Sequence, residues 1–189
     1  MKEEGLRLFI AVPLSPALEE RIGQIQASWR KEAEGVRWVK PENIHITLKF
    51  LGNVPKGEVE GIGHVLKEVT KGKEAFPVRI GGAGAFPTKA NARVLWIGVE
   101  DERGALKEIF EELERRLHDL GFPREERSFK PHLTLGRVKG RRGKRFSFLE
   151  RDADLEVGVL EVKEVVLFKS DLKPTGAEYT PLVVAPLGG

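Results

Sequence analysis

Cysteine is absent from this chain of 189 residues. Its absence excludes a disulfide framework, a thiolate metal site and a cysteine nucleophile. No apolar run approaches the length of a membrane span. The charged opening Met1–Arg7 has no signal-peptide pattern, so a cytoplasmic protein is expected. Charge of one sign is not in excess either: 32 Lys+Arg face 29 Asp+Glu, leaving +3 and a pI near 9.1. That is a mild lean towards anionic partners. Glutamine occurs twice and methionine once among many Glu, Lys and Arg, a composition that suits a heat-loving source. The glycine-rich run Gly81–Pro87 has no Gly-Lys-Ser/Thr and opens no helix, so it is no phosphate loop. A bend or irregular strand is expected there. No nucleophile-elbow signature is present.

What remains is the profile of a soluble globular chain, 40% hydrophobic and 32% charged. The length fits one domain, or one domain built of two similar lobes. Leu6–Leu14 reads as a buried strand. Ser15-Pro16 is an N-cap followed by proline at the first helical position. Leu18, Ile22, Ile25 and Trp29 then make one apolar stripe on a helix over residues 16–34, ended by Gly35. A second helix carries Val59, Ile62, Leu66 and Val69 inward and turns His64 outward. A third, over 102–120, has Leu106, Ile109, Phe110, Leu113, Leu117 and Leu120 on its stripe, and places His118 at the surface. Short strands are expected at 36–39, 76–80, 93–99 and 179–187, and one or two over 155–168.

Two stretches stand out. His45-Ile46-Thr47-Leu48 is echoed 87 residues later by His132-Leu133-Thr134-Leu135. Strand side chains alternate faces. His45 and Thr47 therefore share one face, and Ile44, Ile46 and Leu48 the other. The second copy divides the same way. Simple alternation adds Lys49 to the His45 face and Phe50 to the apolar one. It sets Arg137 away from His132 unless the strand bulges near Gly136. A helix and a proline-containing turn precede each motif, as in a duplicated unit. Two such units packed about a pseudo-twofold axis bring both polar faces to one cleft.

Two histidines with two hydroxyls, and no carboxylate in either motif, suit neither a metal site nor a Ser/His/Asp triad. They suit an acid–base pair. Imidazole has an unperturbed pKa near 6.5, so close to neutral pH one ring can accept a proton while the other donates. Threonine hydroxyls can hydrogen-bond non-bridging phosphate oxygens. Lys130 and Arg137 flank the second motif as further candidate phosphate contacts. The basic loop Lys139–Lys144 is either a solvated turn or a contact for nucleic acid.

These residues, with Lys49-Phe50-Leu51-Gly52 after the first motif, Phe129-Lys130-Pro131 before the second and Gly136-Arg137 after it, resemble the 2H phosphoesterase superfamily. The closest resemblance is to its RNA 2′,3′-cyclic phosphodiesterase branch, also called 2′-5′ RNA ligase-like. Arg7-Leu8-Phe9-Ile10-Ala11 and Tyr179-Thr180-Pro181-Leu182 extend the likeness over nearly the whole chain. The resemblance implies an α+β fold over 1–189. It has two pseudo-symmetric lobes, with antiparallel sheets lining a central cleft and helices outside. It implies hydrolysis of RNA 2′,3′-cyclic phosphate ends to 2′-phosphomonoesters without metal or cofactor, and possible reversible 2′-5′ joining. By carry-over, His45 is the proton donor and His132 the acceptor, while Thr47 and Thr134 bind phosphate. The expected partner is RNA with a cyclic end, tRNA-like substrates included, with no membrane and no obligate protein partner. A non-catalytic module for RNA ends or nucleotides, and a phosphodiesterase for a small cyclic nucleotide, are the alternatives.

Overall fold

The computed structural model describes residues 4–188. Nine strands and four α-helices, with two single-turn 3-10 helices, are defined among them. In chain order they are β1 (Gly5–Pro13), α1 (Pro16–Arg30), β2 (Val36–Trp38), β3 (His45–Pro55), α2 (Val59–Thr70), β4 (Phe76–Pro87), β5 (Ala92–Glu100), α3 (Ala105–Asp119), β6 (His132–Val138), α4 (Ser147–Arg151), β7 (Glu156–Val162), β8 (Glu164–Lys173) and β9 (Gly176–Pro186). Helix α1 starts as expected, with the Ser15 hydroxyl accepting the Leu18 N–H at 3.3 Å. It ends four residues before the expected 34, because Lys31 already closes the last turn. The 155–168 stretch is two strands, β7 and β8. Gly81–Pro87 is the irregular end of β4, with register shifts against both neighbours.

The strands form two antiparallel sheets, ordered β3-β1-β8-β9 and β2-β6-β5-β4-β7. Apart from β2 the orders superimpose: β3 matches β6, β1 matches β5, β8 matches β4 and β9 matches β7. The fold is thus α+β with two pseudo-symmetric lobes, as expected. The lobes are not consecutive halves of the chain. Helix α1 precedes β3 but packs on the β6 sheet, where the Gln26 amide donates to the carbonyls of Val39 (2.6 Å) and Leu135 (3.0 Å). Helix α3 precedes β6 but lies with α2 over the β3 sheet. Apolar faces of both sheets and the helices enclose one continuous core, from Leu8, Ile10 and Ile46 to Leu95, Leu133 and Leu135. The two motif strands, β3 and β6, meet at the junction of the sheets.

Both motif strands carry a bulge at the same place. Ala11 pairs with Thr47 but Ile10 with Lys49, so Leu48 is the extra residue. Trp96 pairs with Thr134 but Leu95 with Gly136, so Leu135 is the extra residue. The extra residue reverses the alternation that follows it. Burial over His45–Phe50 and His132–Arg137 is identical position by position. Phe50, 69% exposed, and Arg137 therefore lie on the histidine faces, while Lys49 and Gly136 turn inward. The expectation that Lys49 shares the His45 face and Phe50 the core is corrected by this bulge. Arg137 shares the His132 face through its counterpart.

The inward position is filled differently in each lobe. At Gly136 a Cβ would fall 2.7 Å from Val36 Cγ1, because β2 lies against it. Among the described residues no strand flanks β3 there, and Lys49 reaches into α3. Its ammonium meets Glu114 Oε1 at 2.7 Å and the Pro123 carbonyl at 2.8 Å, with both side chains 8% exposed. Glu114 Oε2 in turn accepts the Glu125 N–H at 2.8 Å. Removing one member of such a pair strands a buried charge. Lys49→Met is expected to lower the unfolding free energy by about 3–5 kcal/mol. The double variant Lys49→Met/Glu114→Leu is expected to recover much of that loss. Urea titrations of the three proteins check both statements.

Candidate active site

His45 opens β3 and lies half-buried in an aromatic nest. Phe9 stacks on its ring at 4.8 Å, the Tyr179 ring stands edge-on at 5.5 Å, and Phe168 lies 6.3 Å away. This nest comes from strand pairing. Pro13 faces His45, Ala11 faces Thr47, and Phe9 faces both Phe50 and Phe168 across their ladders. Burial among these rings pushes the His45 imidazole down to about 4, opposed by a hydrogen bond to the Asn43 backbone. Desolvation disfavours the charged ring.

His132 opens β6 in a similar setting. Phe86 stands edge-on at 5.0 Å and Trp96 lies 6.2 Å away. A Cβ on Gly84 would fall inside the Trp96 ring, so the indole lies flat over that glycine. The His132 Nδ1 is 2.6 Å from the Lys130 carbonyl. A carbonyl only accepts, so Nδ1 carries the proton and Nε2 is left for a ligand. Burial lowers the His132 imidazole below its ordinary range, and the Arg137 guanidinium adds to that. At His132 this bond ties the ring to the backbone two residues before it.

Thr47 and Thr134 are half-buried on the same faces as their histidines. Arg137 links the two lobes electrically. Its charge bears on His132 and also on Tyr179, whose phenol burial pushes up and Arg137 and Arg7 pull down. One face therefore gathers His45, Thr47, Phe50 and Tyr179 from one sheet with His132, Thr134 and Arg137 from the other. A pocket of about 340 Å³ continues from His45 and Tyr179, lined by Lys40, Asn43 and the β8–β9 turn. His64 and His118 are exposed on α2 and α3, as expected. Lys130 contributes its backbone carbonyl to the site. Tyr179 was one of four aromatic candidates that the sequence left unranked, and the role of Gln26 in holding the Leu135 carbonyl was not legible. Its place on the apolar stripe of α1, four residues after Ile22 and three before Trp29, was the one available signal for Gln26.

A two-lobed phosphoesterase is the class that this fold and this pair of motifs define. The family model described as LigT like Phosphoesterase matches the chain twice, over 12–96 and 97–179, one motif in each half. The chain belongs to that family, within the 2H superfamily, and is an enzyme of the phosphoesterase class. A relative from Methanothermobacter thermautotrophicus named RNA 2′,3′-cyclic phosphodiesterase is 40% identical over 95% of this chain and 97% of its own. One from Thermotoga maritima with the same name is 34% identical over 94% and 93%. A crystal structure from Thermus thermophilus superimposes with a TM-score of 0.83 at 29% identity, covering 97% of this chain and 98% of that one. The structure of Escherichia coli LigT in apo form gives 0.77 at 25%, covering 99% and 100%.

Both imidazoles are depressed because the charged ring loses water without gaining an anion. An anion in the cleft reverses the balance. In an NMR titration the free protein is expected to show His45 protonating near pH 4 and His132 below the ordinary value. Inorganic phosphate is expected to raise both midpoints, with proton uptake on binding measurable by calorimetry in buffers of different ionisation heat. Midpoints unmoved by phosphate would count against an anion site.

Proposed function

We propose that the chain hydrolyses RNA 2′,3′-cyclic phosphodiester ends to 2′-phosphomonoesters, working as one two-lobed domain over residues 1–189 in the cytoplasm. The observation that carries this reading is the matched placement of His45, Thr47 and His132, Thr134 on facing strands with identical bulges. The relatives' shared name supports the substrate. No helix among the described residues is long and apolar enough to cross a membrane.

In this mechanism His132 Nε2 takes a proton from water, whose oxygen attacks phosphorus. The P–O3′ bond breaks, and His45 delivers its proton to the departing 3′ oxygen. Thr47 and Thr134 donate hydrogen bonds to the non-bridging oxygens, and Arg137 faces the developing negative charge. His45 is the more strongly depressed of the two rings and so the stronger acid once protonated. His132 keeps a free Nε2 and is the better base. With the 5′-hydroxyl of a second RNA attacking phosphorus in place of water, the same steps break the P–O3′ bond and join the RNA ends through a 2′-5′ bond. Phe50 stands exposed on the same face, positioned to stack on a base.

A short RNA with a cyclic end, incubated with the protein in EDTA, is expected to yield a phosphate that a 3′-specific phosphatase cannot remove. His45→Ala and His132→Ala are each expected to reduce turnover at least about a hundredfold. Activity of either variant close to the parent would overturn the reading. Raising the pH strips the proton from His45, and lowering it protonates His132. Since both free rings titrate below 6.5, the kcat/KM optimum is expected on the acid side of that value, with kcat shifted towards neutral once phosphate is bound.

A further inference from the structure

We infer that the RNA leading to the cyclic end is held by a cationic strip that runs from Arg137 over the edge strand β2 to the 139–142 loop. The inference rests on the RNA-end reading above and adds the path of the rest of the strand. Arg37 pairs directly with Arg137 across the β2–β6 ladder. Val36 and Val138, the next pair, both face the core, so the two arginines share the outer face. Lys139, Arg141 and Arg142 continue from the same end of β6, all exposed.

Within the described residues none of these five cations forms an ion pair. Their neighbours do: Arg145 meets Glu150 at 2.6 Å, and Arg151 meets Glu32 at 2.9 Å. Two guanidinium groups side by side repel each other. Five unpaired cations in one strip therefore lower local stability unless an anionic partner neutralises them.

The loop is braced rather than floppy. Ala92 and Lys144 exchange two backbone hydrogen bonds at 2.8 and 3.0 Å. The Arg93 guanidinium donates to the Gly140 carbonyl at 2.7 Å, and the Lys139 N–H donates to the Gly35 carbonyl at 2.8 Å. A Cβ on Gly143 would lie 2.7 Å from the Asn91 carbonyl carbon, and Gly140 holds φ +90. These contacts fix the turn that presents Arg141 and Arg142 outward.

The opposite end of the cleft has the other sign. Glu19, Glu42 and Glu178 line the pocket beyond His45 with Lys40 among them, and Glu178 is paired with Lys173 at 2.7 Å. Burial and the neighbouring Glu42 charge raise the Glu19 carboxyl. A phosphodiester chain is repelled from that pocket and drawn over β2. Backbone contacts of this kind are sequence-independent and salt-sensitive.

Three substrates test the path: a 2′,3′-cyclic mononucleotide, a cyclic-ended dinucleotide and a cyclic-ended RNA of about eight nucleotides. The mononucleotide does not reach the loop and serves as the internal control. For the parent protein, kcat/KM is expected to rise with RNA length at low salt and to fall more steeply with salt for the longest RNA. In Arg141→Ala/Arg142→Ala the salt slope for the longest RNA is expected to drop by about 1.4, two contacts at about 0.7 each, with the mononucleotide unaffected. An unchanged slope in the variant, or no length preference in the parent, would overturn the strip. If no cyclic end is hydrolysed, the catalytic reading fails by itself. Fluorescence anisotropy of labelled RNA on both proteins then still decides whether the strip binds.

Discussion

The extra residue in each motif strand is the constraint on which the site depends. Without Leu48 and Leu135 as bulges, period-two alternation would send Phe50 and Arg137 into the core and bring Lys49 and Gly136 to the cleft. A bulge leaves ladder groups unpaired, and each sheet compensates in its own way. At Leu135 the freed carbonyl accepts the Val39 N–H at 2.9 Å and the Gln26 amide at 3.0 Å. Beside Leu48, Lys49 is turned inward and finds Glu114 and the Pro123 carbonyl. Buried polar groups so far from the chemistry are explained by the backbone feature that aims the chemistry.

The second physical theme is dryness. Both histidines sit among aromatic rings, and neither faces a carboxylate. A carboxylate partner would hold an imidazole protonated and raise its pKa. A backbone carbonyl instead fixes the tautomer without adding charge, and at His132 it reserves Nε2. The protein thus keeps both rings neutral until an anion arrives. Under the proposed mechanism the substrate's own phosphate supplies the charge that protonates the acid, so the acid is armed only when something is bound.

Much of this was legible in the sequence. The His-x-Thr repeats, the strand alternation within them, and the outward histidines His64 and His118 followed from spacing alone. The family resemblance supplied the two-lobed fold. What alternation could not supply was its own interruption. Nothing in Leu48-Lys49-Phe50 distinguishes a bulge from a regular strand, since a buried lysine and an exposed phenylalanine both contradict residue type. In the second copy the bulge could be suspected, because glycine at 136 is a common companion of one. Comparing the two copies would have transferred that suspicion to the first. The interleaving of the lobes was equally hidden. It depends on which sheet each helix covers, and both sheets offer an apolar face.

The pseudo-twofold axis makes the two histidines nearly equivalent, yet the proposed reaction needs them to differ. The differences arise outside the motifs. Strand β2 occurs in one sheet only, and it places Arg37 beside Arg137 near the His132 side. The β8–β9 turn and the segment at 40–43 build an acidic pocket beside His45 instead. His45 has three aromatic neighbours and the deeper depression, whereas His132 has two. A symmetric pair would leave the direction of proton transfer undetermined. Here the surroundings bias it, because burial and then the Arg137 guanidinium oppose a proton on His132 and favour its neutral form. The duplicated framework thus supplies two similar rings, and the asymmetric additions around it assign them different work.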